Sequence, residues 1–321
     1  MRKALSFIAG LLCVAVIICA PFLMSAEPQI SETESVILTV WHVDAFEGGK
    51  GSRYTFLRNI STAFSNKNKG VYVLVSNYTI EGLNEALNAG NLPDLISFGG
   101  VGLELNKRAK EITASVEDGG NLNGKRYAVS YLKGGYFLIK KGSGDKKLIL
   151  SKGSNTSPEI AYLFSGLNNK DYLIKDNQDA YSTFLQSKDA TLIGTQRDVV
   201  KLQNASVEFT ATPIVEYNDL YQYVSLTSTV EVNEIYARRF INYLLSSEVQ
   251  EKVSSLCMVS ATKKGLYSDN EFLSSLENAK TSYTMSPFIE REAYEEICKS
   301  SLDIINKGGS YQEISSFLKQ L

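Results

Sequence analysis

Apolar and polar positions alternate along this chain in blocks that change period several times. Ser35 to Val43 is a compact apolar run, and the polar, glycine-rich stretch Asp44 to Ser52 follows it, predicting a strand and a turn. Between Arg53 and Asn66, Phe56, Leu57, Ile60, Ala63 and Phe64 recur three or four apart, which predicts a helix with one buried face. Val71 to Ser76 reads as a second strand. Thr79 can cap a helix that buries Leu83, Ala86 and Leu87, with Gly90 at its end. Pro93-Asp94 then leads into Leu95 to Phe98, a third short strand stopping at Gly99-Gly100. Strand and helix alternating at this spacing predict an α/β layer whose crossovers favour a mostly parallel sheet. The loops after Val43 and Phe98 leave its carboxyl edge, where open α/β sheets commonly bind ligands.

Gly124 to Lys141 looks like one extended run interrupted by Gly134-Gly135, as expected where the backbone bends between two lobes. Ala161 to Leu167 and Ala180 to Leu185 are helical pieces. Ala190 to Ile193 is a strand, after which Gly194-Thr195 turns into a helix carrying Gln196, Arg197, Asp198, Val199, Val200 and Leu202. Phe209 to Val215 runs toward Glu216 to Asp219, and Leu220 to Leu226 is a further strand. Val232 to Ser246 is amphipathic, Ser247 to Ser255 adds a short helix, and helices near Ile289 to Ile305 and Tyr311 to Leu318 close the chain. The pattern implies two lobes crossed near Tyr131, Tyr217 and Cys257. One lobe comprises residues 27–131 plus 218–256, and the other 132–217 plus 257–321.

The N-terminus changes the expected compartment. Ala4 to Ala26 holds no charged residue, follows Arg2-Lys3 and ends in Met24-Ser25-Ala26, the layout of an export signal over residues 1–26. The run is also long enough to serve as an uncleaved anchor. In both cases Glu27 to Leu321 is expected outside the cytoplasm, secreted or at the outer face of the membrane. Cys13 and Cys19 follow pairs of large residues, which argues against lipid attachment. Past the signal only Cys257 and Cys298 remain; a disulfide and two separate thiols are both open.

The 321 residues carry 33 Lys and Arg against 35 Asp and Glu, a net of -2 with no long basic block, which argues against nucleic-acid binding. His42 is the sole histidine, so zinc catalysis or a Ser-His-Asp triad is not expected. No cofactor is implied: the glycines at 48, 49 and 51 match neither phosphate-loop nor dinucleotide spacing.

Candidate chemistry concentrates at strand ends. Trp41 offers a flat face for a sugar ring, or else anchors the core, while Asp44 and Glu47 can accept from hydroxyls. Arg197 can present a fork of donors to ligand oxygens with Asp198 orienting it, or the pair can tie its helix to the lobe. Tyr131, Tyr136, Tyr221 and Tyr223 fall beside the crossings, and strand alternation lets the last two share a side. No carboxylate pair has a spacing that by itself marks a glycosidase.

Trp41 to Arg53, Pro93-Asp94-Leu95-Ile96-Ser97-Phe98-Gly99, Tyr127 to Tyr136 and Gly194-Thr195-Gln196-Arg197-Asp198 together resemble extracellular solute-binding proteins of bacterial ABC importers, of the sugar-binding-like family 1 type. The similarity runs from Val36 to about Leu266. It implies a type II periplasmic-binding-protein-like α/β fold with discontinuous lobes and multiple chain crossings. It also implies a monomer without catalytic activity that captures a small polar solute, a sugar or oligosaccharide, and delivers it to the permease's transmembrane subunits. Carried to matching positions, the ligand-binding residues are Trp41, Asp44, Glu47, Gly99, Tyr131, Tyr136, Gln196 and Arg197. The stretch from Lys141 to Tyr181 is shorter than in many such carbohydrate binders, so the second lobe is expected to be small. Two other readings stand beside this one: a surface sensor on the same scaffold, and an extracellular carbohydrate-active enzyme drawing on Asp44, Glu47 or Asp198.

Overall fold

Alternation of strand and helix at the start of the chain produces the first layer. A computed structural model of the chain describes residues 35–43, 51–100, 103, 105, 108–114, 116, 120–144, 147–153, 155–168 and 171–318. The expected export segment, together with Asp44 and Glu47, lies outside the described residues. In chain order the elements are β1 (Val36–Val43), α1 (Arg53–Lys67), β2 (Val71–Tyr78), α2 (Ile80–Asn88), β3 (Leu95–Phe98), the short arms β4 (Asn121–Leu122) and β5 (Lys125–Arg126), β6 (Val129–Lys133), β7 (Tyr136–Lys141) and β8 (Leu148–Lys152). There follow α3 (Pro158–Leu163), β9 (Tyr172–Asp176), α4 (Asn177–Gln186), β10 (Ala190–Thr195), α5 (Gln196–Asn204), β11 (Thr210–Pro213), β12 (Tyr221–Leu226) and α6 (Glu231–Leu244). The chain ends with α7 (Ser247–Gln250), a 3-10 turn (Glu251–Leu256), β13 (Val259–Ser260), α8 (Glu271–Glu277), α9 (Arg291–Lys307) and α10 (Gln312–Leu318).

Local chemistry accounts for the helix starts. The Ser52 hydroxyl accepts from Thr55 N at 3.2 Å, Thr79 from Gly82 N at 3.1 Å, and Asp176 from Gln178 and Asp179 N at 3.0 Å, each satisfying a donor that the first helical turn leaves open. Thr195 and Asp198 form a reciprocal capping box at α5. Phe56, Leu57, Ile60 and Phe64 are buried on α1, which is the face that the spacing predicts.

Two main sheets result. The first has the order β13-β6-β12-β3-β1-β2, and the second β11-β7-β10-β8-β9. The first is mixed rather than mostly parallel: β1 pairs parallel with β2 and β3, but β12 pairs antiparallel with β3 and β6, and β13 antiparallel with β6. The physical reason is that β12 returns from the second sheet instead of arriving by a helical crossover. Val259 and Ser260 pair with β6, so the first sheet takes residues from beyond Leu256, where the first lobe is expected to end. Gln250 holds this edge: its amide donates to Tyr131 O and Leu244 O, and its oxygen accepts from Ser260 Oγ and Ala261 N.

The registers fix how the sheets meet. Strands β1, β3 and β6 end at one edge, where Lys133 lies opposite Tyr221. In the second sheet β8 and β10 run parallel, and Thr195 at the end of β10 lies opposite Tyr136 at the start of β7. Only Gly134 and Gly135 separate Lys133 from Tyr136, so the carboxyl edges of the two sheets adjoin. The other crossings are Ile214 to Leu220 and Cys257-Met258.

Candidate functional site

The three crossings are tied to one another by buried side chains. Gln196, fully buried as the first residue of α5, accepts from Gly135 N at 2.9 Å and donates to the Met258 sulfur at 3.1 Å, linking the first crossing to the third. Asn218 donates to Gly134 O at 3.0 Å, and Gly134 N donates to Leu220 O at 2.6 Å, linking the first to the second. Gly135 packs so closely on α8 that a Cβ there would lie 2.2 Å from Leu276 Cδ1. Glycine at this position is therefore demanded by contact, whereas a Cβ at Gly134 would meet the Gln196 amide at 2.7 Å.

A second buried group surrounds Asp219. Its carboxylate accepts from the Tyr136 hydroxyl at 2.8 Å and from Ser157 Oγ, while Ser157 N donates to the Tyr136 oxygen at 2.7 Å. Ser157 Oγ also meets the Tyr217 hydroxyl at 2.7 Å, and the Tyr136 and Tyr217 rings stack with centroids 6.1 Å apart. Burial pushes the Asp219 carboxyl above its ordinary range, against the hydrogen bonds that favour its ionised form. Burial and the neighbouring Asp219 charge raise the Tyr136 phenol well above its ordinary value.

Each residue singled out from sequence has a defined place. Trp41 is half-buried on β1, its ring 4.8 Å from that of Tyr78 in an apolar cluster that also holds Phe98 and Tyr223. Gly99 is buried at the carboxyl end of β3. Tyr131 is fully buried with its hydroxyl 2.8 Å from Ser97 Oγ, in a network that includes His42 Nδ1 at 2.9 Å and Gln222 Nε2 at 3.2 Å from the same oxygen. Tyr136 and Gln196 belong to the crossings. Arg197 is buried with Nη2 3.9 Å from Asp198 Oδ1, and Asp198 Oδ2 accepts from Thr195 N at 2.9 Å. The fold thus brings Tyr136 and Gln196 together at the crossings and leaves Trp41 on the first sheet. Tyr221 and Tyr223 do share a cluster, with ring centroids 5.6 Å apart. Cys257 and Cys298 are not joined to each other in a disulfide.

Where the lobes adjoin lies a cavity of about 820 Å³. Ser130, Lys133 and Tyr221 contribute from the first sheet, Ser260 to Lys264 from beyond the third crossing, and Glu277 to Thr284 from the end of α8 and the segment after it. That segment is fastened to the second crossing, with Ser282 N and Tyr283 N donating to Glu216 O, and Asn218 N to Tyr283 O. Sequence reasoning missed most of these residues. The signal available was the placing of Lys133 before two glycines and the polar, small-residue stretch Asn278 to Thr284 between two helical patterns.

The lobes also meet directly. Gly100, at φ +75°, approaches Asn155 so closely that a Cβ would lie 2.9 Å from the Asn155 Cβ. Asn155 Oδ1 in turn accepts from Arg291 at 3.3 Å.

This architecture is similar to that of several solved binding proteins. The GacH receptor of Streptomyces glaucescens GLA.O, described in complex with acarbose, aligns with a TM-score of 0.57 at 12% identity over 89% of this chain and 99% of that one. The maltose/maltodextrin-binding domain MalE of Bdellovibrio bacteriovorus, bound to maltotriose, gives 0.56 at 14% over 89% and 99%. The cyclic alpha-maltosyl-1,6-maltose binding protein of Arthrobacter globiformis gives 0.59 at 13% over 85% and 93%. No family model matches the sequence, and no curated protein does. The chain has the α/β, two-lobed, periplasmic-binding-protein-like fold with multiple crossings that its sequence implies.

Proposed function

We propose that this chain is an extracellular solute-binding protein that encloses a polar solute of the sugar class between its lobes and presents it to the transmembrane subunits of an ABC importer. The observation that carries the reading is the adjoining of two carboxyl sheet edges across three cross-tied crossings, with a hydroxyl- and lysine-lined cavity at their junction. The sugar class is supported by what the three similar structures are described as binding. Tyr131, Tyr136 and Gln196 serve the site as hinge and scaffold residues, because their polar ends are already bonded within the protein. Trp41 on β1, Gly99 after β3 and Arg197 on α5 remain in the proposed ligand set, and Asp44 and Glu47 extend it by sequence. A binding role fits better than turnover, since Asp198 is committed to capping α5.

A thermal-shift panel of mono- and oligosaccharides, amino acids, polyamines and oxyanions tests the reading. A saccharide is expected to raise Tm in a concentration-dependent way, because a ligand that binds only the folded state stabilises it. Stabilisation by amino acids or polyamines and by no saccharide would overturn the sugar class.

A further inference from the structure

Resting on the solute-binding reading, we infer that the solute is a negatively charged glycan whose anionic group is held by the lysines of the cavity at the crossings. Lys133, Lys263, Lys264 and Lys280 line this cavity, and among the described residues Glu277 is the one carboxylate that does. Glu277 does not balance them on the cavity surface, because it is buried and its two oxygens accept from Gly265 N at 2.7 Å and Leu266 N at 3.0 Å. Lys263 is paired with Glu251, whereas Lys264 and Lys280 stand exposed. The described lining is therefore locally cationic in a chain of net charge -2.

The rest of the lining suits a glycan rather than a bare ion. Ser130, Tyr221, Thr262 and Thr281 bring hydroxyls that can both donate and accept, as sugar hydroxyls require, while ammonium groups can only donate and match carboxylate or sulfate oxygens. A volume of about 820 Å³ exceeds the needs of one inorganic anion and falls in the range of sites that hold drug-sized ligands. A neutral maltodextrin would bring no counter-charge to the exposed Lys264 and Lys280. Lys133, Tyr221 and Ser260, which flank the three crossings, all line the cavity, so a charge bound there bridges the parts that must move together on closure.

Calorimetric titration of the full chain with trigalacturonate, a sulfated disaccharide, maltotriose and inorganic sulfate tests this, at low and high salt. Either anionic glycan is expected to bind more tightly than maltotriose, with affinity falling as salt rises, and the two arms tell a uronate from a sulfate ester. Lys264→Ala and Lys280→Ala should each weaken that binding about tenfold, while Lys299→Ala on the exposed face of α9 should not. Tighter binding of maltotriose, unchanged in the lysine variants, would overturn the anionic assignment and leave the solute-binding reading standing. Inorganic sulfate binding as tightly as either glycan would overturn the glycan. No stabilisation by these four or by the wider saccharide panel would remove both readings.

Discussion

The Tyr136 hydroxyl donates to the Asp219 carboxylate at 2.8 Å, joining the start of the second sheet to a crossing 83 residues later in the chain. Through Ser157, which bonds both groups, the start of α3 is held by the same contact. Two of the three connections between the lobes thus share one buried anchor. Any relative motion of the lobes that kept this contact would pivot around it.

Tyr136→Phe keeps the ring and its stacking on Tyr217 but deletes the shared oxygen. Ser157 N and one carboxylate oxygen then lose a partner in a buried site, at a cost of about 1–3 kcal/mol. Urea denaturation should show a lower midpoint with an unchanged slope. An unchanged midpoint would mean that the bond adds nothing.

Asp219 should also leave a mark on the pH dependence. Its folded pKa lies above the ordinary carboxylate value, so the folded chain holds that proton more tightly than the unfolded chain does. The resulting stabilisation is full below the unfolded pKa and is lost as pH rises through the folded one. Relative to the native chain, Asp219→Asn should therefore gain stability as pH is raised from roughly 4 toward neutrality. Parallel stability curves for the two proteins would contradict this.

Gly135→Ala places a methyl group where Leu276 now sits. Displacing α8 from the first crossing should cost about 1–3 kcal/mol. Combining it with Leu276→Ala should cost less than the two changes do separately, since the truncation opens the space the methyl needs. A double-mutant cycle reads the coupling, and strict additivity would count against direct contact.

At Gly100 the expected effect is on shape. An added methyl meets Asn155 and is strained at φ +75°, so Gly100→Ala should hold the lobes apart. Small-angle scattering should report a larger radius of gyration, and Asn155→Gly in the same chain should bring it back down. Identical scattering from Gly100→Ala and the native protein would exclude this contact as a limit on closure.

Much of the fold was readable because local signals agreed. On α1 the apolar spacing and the Ser52 cap point to the same boundaries, and Gly134-Gly135 marks the break between β6 and β7. Leu148–Lys152 and Tyr172–Asp176 escaped notice for a physical reason. The first is a fully interior strand with no alternation to betray it, and the second is an edge strand that leaves Leu173 and Ile174 in solvent. The cavity was harder still. Lys133, Thr262 and Thr281 have no sequence spacing in common, and only the meeting of three crossings brings them to one place. Gln196 and Tyr136 enter the expected ligand set through the family resemblance, which says nothing of how their polar ends are bonded. Here the crossings themselves consume those polar groups.

Strand β12 lies between β3 and β6, yet Phe98 is made long before its partner Tyr223. A nascent chain therefore leaves the ribosome with a gap in the middle of its first sheet, and the gap persists until Leu226 has emerged. The first sheet cannot close before then, whereas every strand of the second, from Tyr136 to Pro213, has already been made.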